Sequence, residues 1–342
     1  MTEYKLDISV FLAKSLTLPV IDVRSPAEFG HGHIPGAVNM PLFTNEERSI
    51  VGTLYLQKGS SEAMMKGLEL IGPKMKEFAA LAMSIAPEKE ALLHCWRGGM
   101  RSNSMAWLMN TIGIRTSTLE GGYKSFRRYV LEFFEKPFKL IVIGGMTGSG
   151  KTDVLEALEM KGKQVIHLER LARHKGSVFG GAGMPEQPSN EQFENDLFAC
   201  LRSLDASQPV YIEDESLSIG KVFIPQPFYT QMSSACRLNL IVPMDRRVKT
   251  LTAAYAGGDS ELLVAGVKRI EKRLGRENTA RVIECIRQGE METAVEMVLR
   301  YYDKVYARSM ARYGQKEVVE VMVGNEEVND IANEIMILTN NL

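Results

Sequence analysis

Cysteine is scarce here: four residues in 342, Cys95, Cys200, Cys236 and Cys285, at separations that make neither a CxxC pair nor a metal-ligand spacing. That argues against a disulfide framework and against a structural zinc. Long apolar runs are missing as well. No stretch reaches the ~18 residues of a membrane span, and the opening MTEYKLDISVFLAKS breaks its apolar residues with charges, unlike a signal peptide. The expectation is a cytoplasmic protein without a membrane partner. Neither sign of charge dominates: 41 Lys and Arg against 42 Asp and Glu leave a net charge of -1, so nucleic acid would need a local basic surface. There is no low-complexity tract, and 45% hydrophobic with 24% charged residues is the balance of a folded chain. At 342 residues the chain exceeds the ~250–300 at which one core stops growing, so two domains are expected.

The segment PVIDVRSPAEFGHGHIPGAVNMP starts as a strand over Val20–Val23 and runs into a Ser-Pro turn. EALLHCWRGGMRSNSMAWLMNTIG follows the same plan: apolar Ala91–Leu93, a glycine loop, then Met105, Trp107, Leu108 and Ile112 at roughly helical spacing. In a strand–loop–helix unit the loop N–H groups and the positive helix end converge on Cys95, while Arg97 and Arg101 add charge. Such surroundings lower a thiol pKa and favour a nucleophilic thiolate. The ring Arg97, Gly98, Gly99, Arg101 is also a cradle for a tetrahedral oxyanion. An isolated cysteine would more simply be a small buried hydrophobe, and Cys200, Cys236 and Cys285 keep that assignment. His94 alternates to the opposite strand face and is assigned packing.

These residues resemble the rhodanese family: IDVRSPAEFGHGHIPGA matches its first signature, HCWRGGMRS its active-site loop and TLEGGYKSFRR its later glycine connection. The likeness spans about the first 130 residues. The spacing Cys95-x5-Arg101 is the longer loop shared with phosphatases of that fold, which suits something larger than sulfur.

After a helix predicted around Tyr123–Phe134, EKPFKLIVIGGMTGSGKTDVLEAL brings a proline, a strand at Leu140–Ile143, a glycine loop and an amphipathic helix. The domain boundary falls near Lys136, giving 1–136 and 137–342. Gly145-x4-Gly150-Lys151-Thr152 is a complete Walker A between strand and helix. Gly145, Gly148 and Gly150 let backbone N–H groups wrap phosphate oxygens, Lys151 supplies charge, and Thr152 is of the type that ligates Mg2+. The loop reads a phosphate chain and no base, so any diphosphate fits, and whether a metal takes part stays open. Further on, PVYIEDESLSIG is a strand ending in acids, with Asp214 a candidate second acid site, and Leu171–Gly183 reads as a flexible substrate loop.

Near the C-terminus Leu263, Val267, Ile270 and Leu274 form an apolar helix face, with Lys268 above Lys272 and Arg269 above Arg273 beside it. Arg300, Lys304, Arg308 and Arg312 recur every four residues among Tyr301, Tyr302 and Tyr306. Residues 237–312 hold 15 basic and 10 acidic residues. This is a candidate surface for an RNA backbone, although such stripes are also ordinary solvated faces.

A cysteine domain fused to a P-loop domain resembles the tRNA 2-selenouridine synthases. The likeness rests on HCWRGGMRS, GGMTGSGKT, RHKGSVFG and EDESLSIGKVFIPQPFYTQM. The fold implied is α/β: a rhodanese-like domain with a parallel sheet and flanking helices, then a P-loop α/β domain with a helical C-terminal part. The activity implied converts 2-thiouridine at the tRNA wobble position to 2-selenouridine through S-geranylation by geranyl diphosphate and replacement by selenium from selenophosphate, with no tightly bound cofactor. The alternatives are a rhodanese-fold phosphatase or sulfurtransferase with an NTP-binding regulatory domain, and a non-catalytic RNA-binding adaptor.

Overall fold

The computed structural model describes residues 4–174, 185–255, 260–310 and 318–339, without the side chains of 254, 255 and 305–310. The chain forms two compact units, one of Met1–Phe133 with Glu194–Phe198, the other of Phe134–Phe193 with Ala199–Leu342. The short segment Glu194–Phe198, from the middle of a helix over Asn190–Arg202, has no signal in the sequence for belonging with the first unit.

The first unit is built on five parallel strands: β1 (Tyr4–Leu6), β2 (Val20–Asp22), β3 (Val38–Asn39), β4 (Glu90–His94) and β5 (Arg115–Leu119), in the order β1-β5-β4-β2-β3. Parallel strands are covered on both faces and so read as continuous apolar runs, which is why Ala91, Leu92 and Leu93 are all fully buried. The centre strand β4 leads into the helix Met100–Thr111, whose Met105, Ala106 and Met109 pack into the core beside Ile21, Val23 and Leu93. Trp107, counted above among the apolar spacing, is instead 58% exposed, because the helix turns Ala106 and Met109 inward rather than position 107.

The second unit repeats the plan. Its strands β6 (Lys139–Gly145), β7 (Gln164–Ile166), β8 (Pro209–Glu213), β11 (Cys236–Ile241) and β12 (Val318–Met322) are parallel in the order β12-β11-β6-β8-β7; β9 (Ser218–Ile219) and β10 (Val222–Phe223) make a separate two-stranded ribbon. In each sheet the chain leaves the centre strand, β4 or β6, where connections switch from one side to the other. Open α/β sheets bind ligands outside the carboxyl ends of their strands at such points.

Helices at Ser260–Arg269, Glu271–Leu274, Arg276–Gln288 and Met291–Met310 form a cluster of their own around Leu263, Val267, Ile270, Leu274, Val282, Ile286 and Val298. The apolar face expected at 263–274 is buried, but the single helix is not continuous. It turns at Ile270, whose carbonyl accepts from both Arg273 and Leu274 N–H at 2.8 Å, so the Lys268/Lys272 and Arg269/Arg273 stacking crosses a break. Among the described residues no helix is long and apolar enough to cross a membrane.

Candidate functional site

Cys95 follows the last residue of β4 and is 3% exposed. The loop beyond it packs closely on the chain after β5 through two glycines in the left-handed region, Gly98 in the loop and Gly122 at the start of the helix Gly122–Phe133. Gly98 has φ +63, and a Cβ there would lie 2.5 Å from the Leu119 carbonyl; Gly122, φ +60, would put one 2.4 Å from the Cys95 carbonyl. This close approach lets Tyr123 and Lys124 N–H groups hold the carbonyls of Cys95 and Trp96 at 2.8 and 3.0 Å. With its carbonyls tied back, the loop turns N–H groups toward the sulfur: Gly99 N donates to Sγ at 3.3 Å, and Ser102 Oγ lies 3.3 Å from it.

Burial pushes the thiol up, but the hydrogen bonds from Ser102 Oγ and from the Gly99, Ser102 and Arg97 N–H groups together outweigh it, and Cys95 ends below the ordinary cysteine value. The loop N–H groups expected from the sequence therefore do hold the thiolate, joined by the Ser102 hydroxyl, whereas the added charge expected from Arg97 and Arg101 is not among the causes. Arg97 is exposed and serves through its backbone N–H. Arg101 forks onto Glu28, Nη1 to Oε2 at 2.7 Å and Nη2 to Oε1 at 3.3 Å, which holds the Glu28 carboxyl below its usual range despite partial burial. Glu28 also closes a capping box with Ser25, so this arginine is fixed by the helix start at Pro26–His31.

Beneath the loop lies a buried ion pair. Arg24 donates to both Asp22 carboxylate oxygens and to the Gly32 carbonyl, and stacks 3.7 Å over the Tyr123 ring. Fully paired, it supports Tyr123 without leaving a bare charge in the core. His94 is fully buried between Phe11 and Tyr123; burial drives its pKa to about 4 although Asp22 is 3.7 Å away, so it stays neutral.

The Walker loop closes β6 and starts the helix Lys151–Met160. Gly145, Gly148 and Gly150 have φ of +148, +80 and +77, which side-chain-bearing residues rarely adopt. Lys151 Nζ donates to the Gly145 carbonyl at 3.0 Å, and Thr152 is exposed on the first helical turn. Asp214 follows β8 with its N–H on the Ile143 carbonyl, next to β6. Its carboxylate accepts from Arg237 Nη2 at 3.0 Å, and burial still raises its pKa. Glu213 is 1% exposed, with Oε2 accepting from Glu169 N at 2.8 Å and Oε1 without a hydrogen bond; burial and Glu169 raise it to about 7. Glu215 is raised too, by burial and then Glu169. Among the described residues no three acidic, histidine or cysteine side chains are grouped to hold a metal.

Two glycine-bearing loops, each a candidate anion cradle, thus sit at the carboxyl ends of two centre strands. Residues 138–336 match the family model "tRNA 2-selenouridine synthase AAA domain", and residues 11–129 match "Rhodanese-like domain". The tRNA 2-selenouridine synthase of Sulfurovum sp. is 34% identical over 86% of this chain and 89% of its own length. The chain belongs to the tRNA 2-selenouridine synthase family. The enzymes of that name from Marinobacter nauticus and Nitrosomonas europaea are 33% and 39% identical, the first over 91% of this chain and 92% of its own length, the second over 69% and 63%. The chain thus spans less than two thirds of the Nitrosomonas protein that it matches.

In this member of the tRNA 2-selenouridine synthase family the basic stripe is less uniform than its sequence. Lys268, Arg269, Lys272, Arg273 and Lys304 are exposed, and so is Arg300, but Arg300 donates to Glu296 one turn back at 2.6 Å. Tyr301 and Tyr302 are half-buried against the helical core and against each other, centroids 5.4 Å apart, so they are packing residues and not a stacking platform for bases. The side chains of Tyr306 and Arg308, all of Arg312, and most of the loop expected at Leu171–Gly183 lie outside the described residues; Leu171 and Ala172 end a helix over Leu168–Ala172. Sequence reasoning missed Ser102 and Glu28. Ser102 had a usable signal, since a serine three residues past the loop's last glycine lies on the first helical turn, where it can face back to the sulfur. Glu28 had none beyond its place in the capping box.

Proposed function

We propose that the protein modifies the wobble uridine of tRNA, converting 2-thiouridine to 2-selenouridine in two stages. In the first, the thiouridine sulfur attacks C1 of geranyl diphosphate, the C–O bond breaks and diphosphate leaves, while the uridine N3 proton is lost to solvent. In the second, selenium of selenophosphate adds at C2, geranylthiol leaves, and water cleaves the Se–P bond to release phosphate. Alkylation turns a poor leaving group into a good one, which is why two donors are needed.

The observation that carries this reading is the presence, in one chain of this family, of two separate cradles with different contents: a hydrogen-bonded thiol at the end of β4 and a lysine-bearing glycine loop at the end of β6. The Walker loop suits a departing diphosphate, whose charge its N–H groups and Lys151 stabilise as it develops. The Cys95 loop suits the phosphate end of selenophosphate. Mg2+, when bound, would take Thr152 Oγ1 and diphosphate oxygens and neutralise the leaving charge. Exposed Lys268, Arg269, Lys272, Arg273, Arg300 and Lys304, with Arg308, are the proposed contacts to the tRNA backbone.

The test is mass spectrometry of nucleosides from 2-thiouridine tRNA incubated with the pure protein and geranyl diphosphate, with and without selenophosphate. Geranylated nucleoside in the first tube and selenouridine in the second are expected. Unmodified thiouridine in both, with hydrolysis of an aryl phosphate through Cys95, would replace the reading with that of a phosphatase.

A further inference from the structure

The Walker loop is gripped from outside by a residue that no sequence pattern singles out. Arg247, on the helix Met244–Tyr255, is 3% exposed. Its Nη1 donates to the Thr147 carbonyl within the loop at 3.3 Å. The same guanidinium forks onto Asp303, Nη1 to Oδ1 at 2.8 Å and Nη2 to Oδ2 at 2.7 Å. Burying an arginine is costly unless it is paired, and Asp303 meets that cost while leaving the fork rigid. The helix lies directly on the loop: a Cβ on Gly148 would be 3.0 Å from Leu251 Cγ and 3.1 Å from the Arg247 carbonyl.

Peptide geometry gives the contact a consequence. In a trans peptide the carbonyl and the following N–H point in opposite directions, and the described chain has no cis bond. Drawing the Thr147 carbonyl outward to Arg247 therefore turns the Gly148 N–H away from that helix, toward the inside of the loop. Glycine, with φ +80, has the freedom to lose that orientation. We infer that Arg247 is a positioning residue for phosphate binding, fixing the Thr147–Gly148 peptide with its donor inward, and that Asp303 holds Arg247 in place. Neither touches the phosphate. Asp303 belongs to the same helix as Arg300 and Lys304, so the helix proposed to face tRNA also anchors the support of the phosphate loop.

The inference rests on the loop being the diphosphate site, and the experiment separates the two. Inorganic pyrophosphate is titrated calorimetrically into the full chain as wild type, Lys151→Ala, Asp303→Asn and Arg247→Lys, with a melting curve for each. Lys151→Ala is expected to abolish binding; binding equal to wild type would reject the loop as the diphosphate site. Asp303→Asn, nearly isosteric and so able to fold if an Arg247 variant does not, is expected to weaken binding about tenfold, the factor matching one charge-assisted hydrogen bond. Arg247→Lys, which cannot reach both partners at once, is expected to weaken it similarly. If Lys151→Ala loses binding while Asp303→Asn melts lower but keeps wild-type affinity, the Arg247–Asp303 pair is only structural and the inference falls.

Discussion

Removing one hydroxyl tests how the thiolate is stabilised. Ser102 is fully buried and its Oγ lies 3.3 Å from Cys95 Sγ and 3.0 Å from the Gly99 carbonyl. A hydroxyl has one proton to donate. With the thiol protonated, S–H donates to Ser102 Oγ, which donates to Gly99; on ionisation the hydroxyl must turn to the sulfur and give up the carbonyl. A hydrogen bond to a charged acceptor contributes about 1.5–3 kcal/mol, a neutral one about 1, so the net gain to the thiolate is about 0.5–2 kcal/mol. Since ~1.4 kcal/mol is tenfold in an equilibrium, Ser102→Ala should shift the thiol–thiolate equilibrium by up to roughly tenfold toward the thiol. The assay is the rate of Cys95 carboxymethylation by iodoacetate against pH, followed on its own peptide by mass spectrometry so that Cys200, Cys236 and Cys285 do not interfere. The inflection should move to higher pH. An unmoved inflection, or one that falls, would refute the role of the Ser102 hydroxyl and leave the thiolate to the backbone N–H groups of the loop.

Three further outcomes are expected. Cys95→Ala should still make geranylated tRNA and no selenouridine, whereas Lys151→Ala should lose geranylation first; the nucleoside assay separates these, and a Cys95→Ala protein that is folded but makes no geranylated product contradicts the division. Phe198→Ala should cost about 3–5 kcal/mol of unfolding free energy in a urea titration, since its ring, 2% exposed, is edge-on to Phe126, Tyr129 and Phe133 at 5.7, 5.9 and 5.0 Å. Glu213 is raised to about 7 when folded against an ordinary 4.5, so the folded state holds its proton more tightly, and stability is present at low pH and lost as pH rises from about 4.5 through 7. Glu213→Gln, which keeps an oxygen for Glu169 N–H, should remove up to about 3 kcal/mol of that decline; a melting profile across pH 5–8 as steep as wild type would show that Glu213 is not raised and that other groups govern the profile.

Much of both cradles was legible in the sequence because it is local. A buried parallel strand declares itself as a short apolar run, and β4 and β6 did so at Ala91–Leu93 and Leu140–Ile143. A loop that must fold back on itself needs positive φ, and glycine is the residue that supplies it, so Gly98, Gly145, Gly148 and Gly150 marked the turns. Amphipathic spacing likewise located the buried face Leu263–Leu274. Cys95 and Lys151 follow from their places in those loops.

What the sequence could not carry was which charges would be spent on each other. Arg101 meets Glu28 from 73 residues away, Arg237 meets Asp214 from 23, and Arg247 meets Asp303 from 56. Each pairing depends on the order of strands and the crossing of helices: the first takes Arg101 to Glu28, the second occupies the Asp214 carboxylate, and the third holds the arginine that meets the Thr147 carbonyl. The half-burial of Tyr301 and Tyr302 was out of reach for the same reason, since a four-residue period shows that a face exists but not which neighbour covers it. Backbone conformation is fixed within a few residues of sequence, whereas charge neutralisation and burial are settled only when distant segments meet. The sequence therefore determined where the two glycine loops lie, and the tertiary structure decided what holds them in shape.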